Sequence, residues 1–293
     1  MPRQELFRGA GVAIVTPFTE TGVDYDKLTE LINWQIDKGI DAIIICGTTG
    51  EASTLLDEEH IDVIRHAVEI TAKRVPVIAG TGSNDTIHGI RLSQNAQKVG
   101  ADALLCVTPY YNKTNQRGLI EHFKATAAAV DVPIILYNVP SRTNLNIAPE
   151  TYEALSDVEN IQAIKECNIH QVAETFARCG DRFDIYSGED GLVVPLLSMG
   201  GKGVISVAAN VWPEEMVAMT HSWFDGDLTT AASKQIGLTN LIKALFSDVN
   251  PIPVKEAMNI MGLEVGDCRL PLYSMSELAR EHLQQVLKDY KLI

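Results

Sequence analysis

Eight short apolar runs, rich in β-branched residues, recur along the first part of the chain. They lie at residues 11–15, 42–46, 75–80, 103–109, 133–140, 161–167, 183–188 and 203–209. Each run has the length and composition of a β-strand that is covered on both faces. The segments between the runs have helical spacing: in residues 24–38 the apolar positions share one face, and Gly39 follows, as is typical of a helix end.

Strands that alternate with helices predict a parallel sheet, and eight such units within roughly 225 residues predict a closed (β/α)8 barrel, the TIM barrel. The alternative is an open doubly wound sheet, which usually carries a glycine-rich turn after its first strand. Here the first run continues into "TPF" (16–18), and "GTGSND" (80–85) lacks the third glycine of a dinucleotide site. The sequence therefore favours an α/β barrel over residues 1–225.

After residue 225 the pattern is helical, and we expect a C-terminal helical subdomain over residues 226–293. Three segments have helical character, at residues 228–246, 253–261 and 276–290. Ser274 and Glu277 have the spacing of a capping box, which predicts the start of the last helix. The apolar residues of that helix share one face; they are Ala279, Leu283, Val286 and Tyr290.

Composition argues against several classes of partner. The chain has 293 residues, a formal net charge of −14 and no basic stripe, which argues against binding to nucleic acid. Residues 1–10 lack the basic-then-apolar pattern of a signal peptide, and no apolar run approaches the ~18 residues that a membrane span needs. The 5 cysteines and 7 histidines show no disulfide or metal-ligand spacing, so we expect a cytoplasmic protein without a metal.

Polar groups follow several of the predicted strands, where the active site of a barrel enzyme lies. The stretches are "CGTTGE" (46–51), "TPYYN" (108–112), "YNVPSRT" (137–143), the lysine at 165 and "SGED" (187–190). Hydroxyl groups, one guanidinium and one amine would thus meet at the same end of the barrel. Because these stretches are distant in sequence, their convergence depends on the barrel prediction.

Lys165 stands near the end of the sixth apolar run. Strand alternation places Ile161, Ala163 and Lys165 on one face, which would point the amine into the barrel mouth. The residue pattern alone is compatible with a lysine that extends along an apolar surface to water. The other interpretation, which the residue pattern alone favours less, is a nucleophile that forms a Schiff base, since burial and a nearby cation both lower the pKa of an amine.

Each of the other strand-end residues has both a functional and a structural interpretation. Thr48 and Thr49 lie between glycines and suit a bound carboxylate, but they also suit an ordinary turn. Arg142 can bind a carboxylate through two parallel hydrogen bonds, or form a surface salt bridge. Tyr137 and Tyr111 carry phenols that can relay protons, or they are aromatic core residues with the hydroxyl at the edge.

Taken together and in order, "GTTGE", "PYYN", "YNVPSRT", the strand-end lysine and "GVISV" resemble the pyruvate-dependent class I aldolase and lyase family. The resemblance covers essentially the whole chain, with motifs over residues 47–209. It implies that Lys165 forms the Schiff base and that Tyr137 moves protons to and from bound pyruvate. It also implies that Thr48 links two tyrosines by hydrogen bonds, and that Tyr111 reaches into the site of a neighbouring subunit.

The same resemblance implies the binding residues. Thr49 would help to hold the carboxylate of pyruvate, and Arg142 would receive the carboxylate of the second substrate. Gly188 and Ile205 would contribute backbone contacts to the pocket. The closest branch condenses pyruvate with L-aspartate 4-semialdehyde at the first committed step of diaminopimelate and lysine biosynthesis. It works without a metal or an organic cofactor, as a homotetramer built from two tight dimers.

Other functions on this scaffold stay open at this point. N-acetylneuraminate lyase and 2-keto-3-deoxy sugar acid aldolases share the lysine, the tyrosine and the "GTTGE" type of loop. Arg142 favours the semialdehyde, because that substrate carries a carboxylate whereas polyhydroxy substrates call for neutral groups. A non-catalytic binding protein on the same barrel is disfavoured, since every matched reactive group is present.

Relatives in this family often bind lysine in a cleft at the tight-dimer interface. The matching positions here are Ala52, Ser53, Asp57, His60, Asn84, His88 and Tyr110. Lysine-inhibited relatives typically carry a histidine where this chain has Asp57 and a glutamate where it has His88. The ε-ammonium of a bound lysine needs a carboxylate partner, so we expect weak or absent inhibition by lysine.

Overall fold

The computed structural model describes residues 5–293, so the first four residues of the stretch inspected for a signal peptide lie outside it. Eight parallel strands close into a barrel in the order β1-β10-β9-β8-β7-β6-β5-β4, and β2 pairs with β3 in a small antiparallel hairpin. The predicted (β/α)8 fold is confirmed. The strands are β1 Gly9–Ala13, β2 Phe18–Thr19, β3 Gly22–Val23, β4 Ala42–Ile45, β5 Val77–Gly80, β6 Ala103–Val107, β7 Ile134–Asn138, β8 Ile161–Glu166, β9 Asp184–Ser187 and β10 Gly203–Ser206.

Helices surround the barrel and continue beyond it. They are α1 Tyr25–Asp37, α2 Asp57–Thr71, α3 Thr86–Lys98, α4 Gln116–Ala127, α5 Pro140–Thr143, α6 Pro149–Leu155, α7 Val172–Cys179, α8 Val193–Leu197, α9 Pro213–Phe224, α10 Leu228–Gly237, α11 Thr239–Leu245, α12 Ile252–Ile260 and α13 Glu277–Asp289. Helix α1 begins where the Asp24 carboxylate accepts a hydrogen bond from the backbone N–H of Lys27, and the left-handed Gly39 follows its end, as predicted. Across residues 5–293, none of these helices has the length and apolar character needed to cross a membrane.

The core has two layers, because successive strand residues point to opposite sides of the barrel wall. One set fills the barrel interior and includes Ile44, Ile78, Leu105 and Ile135. The other set packs between the strands and the helices. Gly11 belongs to the interior, where a Cβ would lie 2.6 Å from the Cδ1 atom of Ile44. The interior is therefore filled, and space for a ligand exists only at its end.

Strand β8 departs from simple alternation. Its pairing with β7 shifts between Ile134 and Ile135, so that Ile134 lies opposite Ile161 while Ile135 lies opposite Ala163. The extra residue places Ile161 in the outer layer, whereas Ala163 faces the interior. The prediction that Ile161 shares a face with Ala163 and Lys165 is therefore wrong, because a β-bulge shifts the alternation by one residue. Lys165 nevertheless reaches the barrel mouth.

The C-terminal part is helical as predicted, with two differences. The segment 228–246 forms two helices, α10 and α11, separated at Leu238. Helix α13 begins after Ser276, whose side chain accepts a hydrogen bond from the N–H of Ala279 at 3.3 Å. Ser274 is therefore not the capping residue, since Ser276 stands directly before the helix in an extended conformation. The division into two domains at residue 225 stays a prediction.

Candidate active site

A cavity of about 220 Å³ opens at the C-terminal end of the barrel strands. Six of the residues predicted to act there line it: Thr48, Thr49, Tyr137, Arg142, Lys165 and Gly188. They come from four separate strand ends, and the barrel brings them together. Strand pairing places Tyr137 of β7 directly opposite Lys165 of β8, so these two side chains are neighbours by register.

The amine of Lys165 is buried and carries no salt bridge. The residue is 6% exposed, and its Nζ lies 4.4 Å from the centre of the Tyr137 ring. No carboxylate from residues 5–293 forms an ion pair with it. Burial lowers the pKa of Lys165, and the charge of Arg142 adds to this, against opposing effects of Cys167, Asp190 and Glu189. A larger fraction of the amine is therefore neutral and nucleophilic near neutral pH.

Burial shifts the pKa of Tyr137 in the opposite direction to that of Lys165, and it too favours the neutral form. Burial raises the pKa of its phenol, and the nearby Arg142 guanidinium and Thr48 hydroxyl only partly oppose this. The hydroxyl therefore keeps its proton at neutral pH. A protonated phenol beside a neutral amine can donate a proton to a group that is bound to that amine.

The loop after β4 presents the two threonines. Cys46 and Glu51 both adopt left-handed backbone conformations, with φ of 54° each, and they bound a tight turn. Within the turn, the N–H of Glu51 donates to the carbonyl of Thr48 at 3.1 Å, and the amide of Asn250 donates to Oγ1 of Thr49 at 3.0 Å. The conformation of the turn directs Thr48 and Thr49 to the cavity wall.

Arg142 lies in the short helix α5 that follows β7. Its side chain is exposed and its Nη2 donates to the backbone carbonyl of Asn250 at 3.1 Å. Among residues 5–293 no carboxylate pairs with this guanidinium, so its charge is available to a ligand. Because Arg142 lines the cavity with Lys165, an acidic substrate could contact both.

The three remaining predicted residues differ in where they lie relative to the cavity. Gly188 lies against the lysine, where a Cβ would be 2.3 Å from the sulfur of Cys167 and 3.2 Å from Cε of Lys165. Ile205 is buried in the barrel interior and does not line the cavity. Tyr111 is 93% exposed and left-handed at φ 66°, and it is outside the cavity of its own chain. A single chain therefore does not bring Tyr111 or Ile205 into the cavity wall.

The cavity-lining residues that sequence reasoning missed include Cys167, Glu189 and Asn250. Glu189 and Cys167 flank Lys165, and burial raises the pKa of both side chains. Asn250 lies in the C-terminal part of the chain, and its Oδ1 has no hydrogen-bond partner among the described residues. Glu189 could have been found, because it lies in the strand-end stretch "SGED". Asn250 had no such signal, because no strand precedes it.

A buried carboxylate lies behind Lys165, on the outer side of β8. Glu166 is 3% exposed, and burial raises its pKa to about 7 against the opposing effect of its hydrogen bonds. Its two oxygens accept four hydrogen bonds, from Nδ2 of Asn138, the N–H of Asn168, the hydroxyl of Tyr152 and Nε2 of Gln171. The residues that follow Tyr137 and Lys165 in sequence are thus joined to each other.

A second, larger cavity of about 490 Å³ adjoins the first and shares Thr48, Tyr137 and Arg142 with it. Six of the seven predicted cleft residues line it: Ala52, Ser53, Asp57, His60, His88 and Tyr110. Asn84 does not. The cleft positions therefore converge in space, as the resemblance implies, and they lie next to the candidate active site.

The two cleft positions that depart from lysine-inhibited relatives contact each other. Nε2 of His88 lies 2.8 Å from Oδ1 of Asp57, and Nδ1 of His88 lies 3.1 Å from the hydroxyl of Ser83. His60 is buried, its Nε2 is 2.8 Å from the carbonyl of Gly80, and burial lowers its pKa. The carboxylate of Asp57 already has a partner within the chain. No group of three His, Cys, Asp or Glu side chains in residues 5–293 is placed to hold a metal ion.

The family follows from comparison with known proteins. A sequence model described as the dihydrodipicolinate synthetase family matches residues 6–290. The chain is 61% identical over 291 residues to the 4-hydroxy-tetrahydrodipicolinate synthase of Acetivibrio thermocellus, covering 99% of this chain and 100% of the relative. The chain therefore belongs to the dihydrodipicolinate synthetase family, and the resemblance seen in the sequence motifs is confirmed.

Solved structures agree with this assignment. The dihydrodipicolinate synthase from Aquifex aeolicus superposes with a TM-score of 0.95 at 47% identity, covering 98% of this chain and 99% of that chain. The chloride-inhibited dihydrodipicolinate synthase from Acinetobacter baumannii was solved with pyruvate. It superposes with a TM-score of 0.95 at 42% identity, covering 98% of this chain and 99% of that one.

Proposed function

We propose that this protein is a lyase that joins pyruvate to L-aspartate 4-semialdehyde through a Schiff base on Lys165. The product would be 4-hydroxy-tetrahydrodipicolinate, at the first committed step of diaminopimelate and lysine biosynthesis. One observation carries the proposal: Lys165 is a buried amine with a lowered pKa and with no ion pair to a carboxylate in the described part of the chain, and it lies opposite Tyr137 at the barrel mouth. The names of the relatives and the pyruvate bound to one of them support it.

The proposed reaction begins when the neutral amine attacks C2 of pyruvate. The C2 oxygen leaves as water and an imine forms; loss of a methyl proton then gives an enamine. The enamine carbon adds to the aldehyde of the semialdehyde, and the amine of that substrate finally displaces Lys165 as the ring closes. The iminium is the electron sink, so the proposed chemistry needs no metal or organic cofactor.

Tyr137, Thr48, Thr49 and Arg142 have complementary roles in this proposal. Tyr137 moves protons to and from the bound pyruvate, at its C2 oxygen and its methyl group, because the phenol stays protonated and faces Lys165. Thr48 adjoins Tyr137 and continues the hydrogen-bonded path, and Thr49 contributes to a carboxylate site. Arg142 receives the carboxylate of the semialdehyde, since it lines the cavity and no carboxylate of residues 5–293 pairs with it. Backbone contacts at Gly188 and Ile205 complete the pocket in this proposal.

We infer that the protein assembles as a homotetramer of two tight dimers. Tyr111 supports this because its large side chain is 93% exposed and its left-handed backbone is unfavourable for a bulky residue. In the assembly, Tyr111 would reach the cavity of a neighbouring subunit and connect with Thr48 there. We also propose a cytoplasmic location, which suits the five free cysteines.

The direct test measures product formation from pyruvate with L-aspartate 4-semialdehyde, beside parallel assays with N-acetylneuraminate and a 2-keto-3-deoxy sugar acid. We expect turnover only in the first assay. Borohydride added with pyruvate should leave one covalent adduct, on Lys165. Turnover of N-acetylneuraminate or the sugar acid, with none of the semialdehyde, would replace the proposed reaction by an aldolase reaction on the same barrel. The absence of any adduct would exclude a Schiff-base enzyme.

A further inference from the structure

Lys255 is a second deeply buried lysine, and the proposed reaction does not use it. It lies in α12, and its side chain is 2% exposed. Its Nζ donates three hydrogen bonds: to Oε1 of Glu51 at 3.0 Å, to the carbonyl of Thr16 at 3.1 Å and to the carbonyl of Asp267 at 2.9 Å. An ammonium has three donors, so every one of them is satisfied.

Glu51 is the last residue of the "GTTGE" loop and is as buried as Lys255. Its Oε1 accepts from Lys255, and its Oε2 accepts from the backbone N–H of Arg269 at 2.9 Å. Both partners belong to the C-terminal part of the chain, more than 200 residues away in sequence. One carboxylate therefore attaches the loop after β4 to two points of the C-terminal part.

The environments of the two buried lysines are opposite. Within residues 5–293 Lys165 has no carboxylate partner, which favours its neutral form, whereas Lys255 forms a buried ion pair with Glu51. An ion-paired ammonium has no lone pair to attack a carbonyl. Lys255 is thus not a second nucleophile. Its role must follow from the part of the structure that its partner Glu51 fixes in place.

Glu51 holds the turn that carries the two threonines. Its own backbone is left-handed at φ 54°, a conformation that costs a non-glycine residue free energy and persists only where surrounding contacts impose it. Its N–H bonds the carbonyl of Thr48, and Oγ1 of Thr16 bonds the carbonyl of Gly50 at 2.7 Å. The Lys255 amine contacts both Glu51 and Thr16, so it joins the two groups that fix this turn.

We propose that Lys255 is a positioning residue of the active site: through Glu51 and Thr16 it fixes the turn that presents Thr49 to the carboxylate of pyruvate and Thr48 to Tyr137. This inference rests on the proposed function. It also gives the C-terminal helices a part in catalysis, because α12 supplies the ammonium. Without that ammonium the Glu51 carboxylate is buried and unpaired, and the turn moves to let it reach water.

The test compares wild type with Lys255→Met, which has similar length but no charge. We expect the KM for pyruvate to rise roughly 10- to 100-fold, the range that follows from losing a hydrogen bond to a charged group. The KM for the semialdehyde should change much less, whereas kcat should also fall, because Thr48 of the same turn continues the hydrogen-bonded path from Tyr137. A purely structural role would instead lower stability and the active fraction while leaving the KM for pyruvate unchanged, and that outcome would overturn the proposal.

Two further variants keep the test decisive. Glu51→Gln removes the charge but keeps one acceptor, so it should raise the KM for pyruvate less than Lys255→Met and should fold if Lys255→Met does not. Lys234→Met breaks a half-buried ion pair between Lys234 of α10 and Glu215 of α9, away from the loop, and should leave the KM unchanged. An unchanged KM for pyruvate in Glu51→Gln would overturn the proposal on its own.

The same samples separate this inference from the proposed function. Wild type and variants are incubated with increasing pyruvate, trapped with borohydride, and analysed by mass spectrometry. We expect a Lys165 adduct in all of them, with half-maximal trapping shifted to higher pyruvate in Lys255→Met. No adduct in wild type would overturn the proposed function and this inference with it. A wild-type adduct on Lys165 with an unshifted variant curve would overturn this inference alone.

Discussion

Tyr137 and Lys165 lie directly opposite each other on adjacent strands β7 and β8, and the Lys165 amine is 4.4 Å from the centre of the Tyr137 ring. Both side chains are buried, and burial acts on them in opposite directions: it lowers the pKa of the amine and raises the pKa of the phenol. Burial thus favours the uncharged form of each group. A neutral nucleophile beside a protonated donor is the arrangement that imine formation requires.

Replacement of the nucleophile should abolish imine formation. In Lys165→Arg the guanidinium stays protonated and cannot attack C2 of pyruvate. We expect no borohydride-trapped adduct and no measurable turnover, with the circular dichroism spectrum unchanged. Lys243 is exposed, and Lys243→Arg is the matched control, which should keep both adduct formation and turnover. An adduct on another lysine in the Lys165→Arg variant would show that the nucleophile has been misassigned.

Arg142 should act chiefly on the second substrate. In Arg142→Ala the pyruvate imine should still form, because the amine of Lys165 is intact. Loss of a charge-assisted contact with the carboxylate should raise the KM for the semialdehyde by roughly 10-fold or more. Arg142→Lys keeps the charge but cannot form two parallel hydrogen bonds, so its KM for the semialdehyde should lie between those of wild type and Arg142→Ala. Loss of imine formation with an unchanged KM for the semialdehyde would mean that the two pockets are reversed.

Glu166 should make stability depend on pH. Its pKa is raised from 4.5 to about 7 in the folded chain, so between these values the folded state binds more protons than the unfolded state. Its contribution to the free energy of unfolding therefore falls as pH rises, by about 2 kcal/mol between pH 5.5 and 8.

The control for this effect is Glu166→Gln, which cannot titrate. Urea unfolding of both proteins is measured at pH 5.5 and 8 and at one protein concentration. The stability of wild type relative to the variant should be lower at pH 8 than at pH 5.5. A difference that stays constant with pH would show that Glu166 does not change protonation over this range.

Tyr111 should act in the neighbouring subunit. Lys165→Arg and Tyr111→Phe should each be inactive or strongly impaired as pure proteins. In a mixed dimer, the subunit with intact Lys165 receives an intact Tyr111 from its partner, so one of the two sites works. Random mixing after reversible unfolding should recover roughly a quarter of wild-type activity. Activity that does not recover on mixing, or a fully active monomer in sedimentation at high dilution, would contradict a role in trans.

Lysine should inhibit weakly or not at all. The Asp57 carboxylate is already 2.8 Å from His88, and no other acid lines the larger cavity within residues 5–293. An incoming ε-ammonium would therefore have to displace His88 or stay unpaired. Initial rates across a range of lysine concentrations at saturating pyruvate test this. His88→Glu supplies an acid and should gain inhibition, whereas strong inhibition of wild type would show that Asp57 serves as the partner.

Local pattern was enough to predict the barrel and six of the residues that line the candidate active site. The eight apolar runs correspond to strands β1 and β4 to β10, because strands buried on both faces leave a continuous apolar signal. Lys165, Tyr137 and Arg142 were found because polar groups at strand ends break that signal. Ser276 was missed as the cap of α13, because Ser274 has the capping-box spacing to Glu277 whereas Ser276 is followed three residues later by Ala279.

The sequence by itself determined where the eight barrel strands lie and that Lys165 stands near the end of one of them, because a strand and its polar terminus are local features. Only the tertiary structure decided the bulge that turns Ile161 outward, the Asn250 contact with Thr49 and the Lys255 ion pair with Glu51. These relationships join residues that are far apart in sequence. They depend on how the closed barrel and the C-terminal helices pack. The periodicity of apolar residues along the chain predicts local structure and not contacts between distant residues.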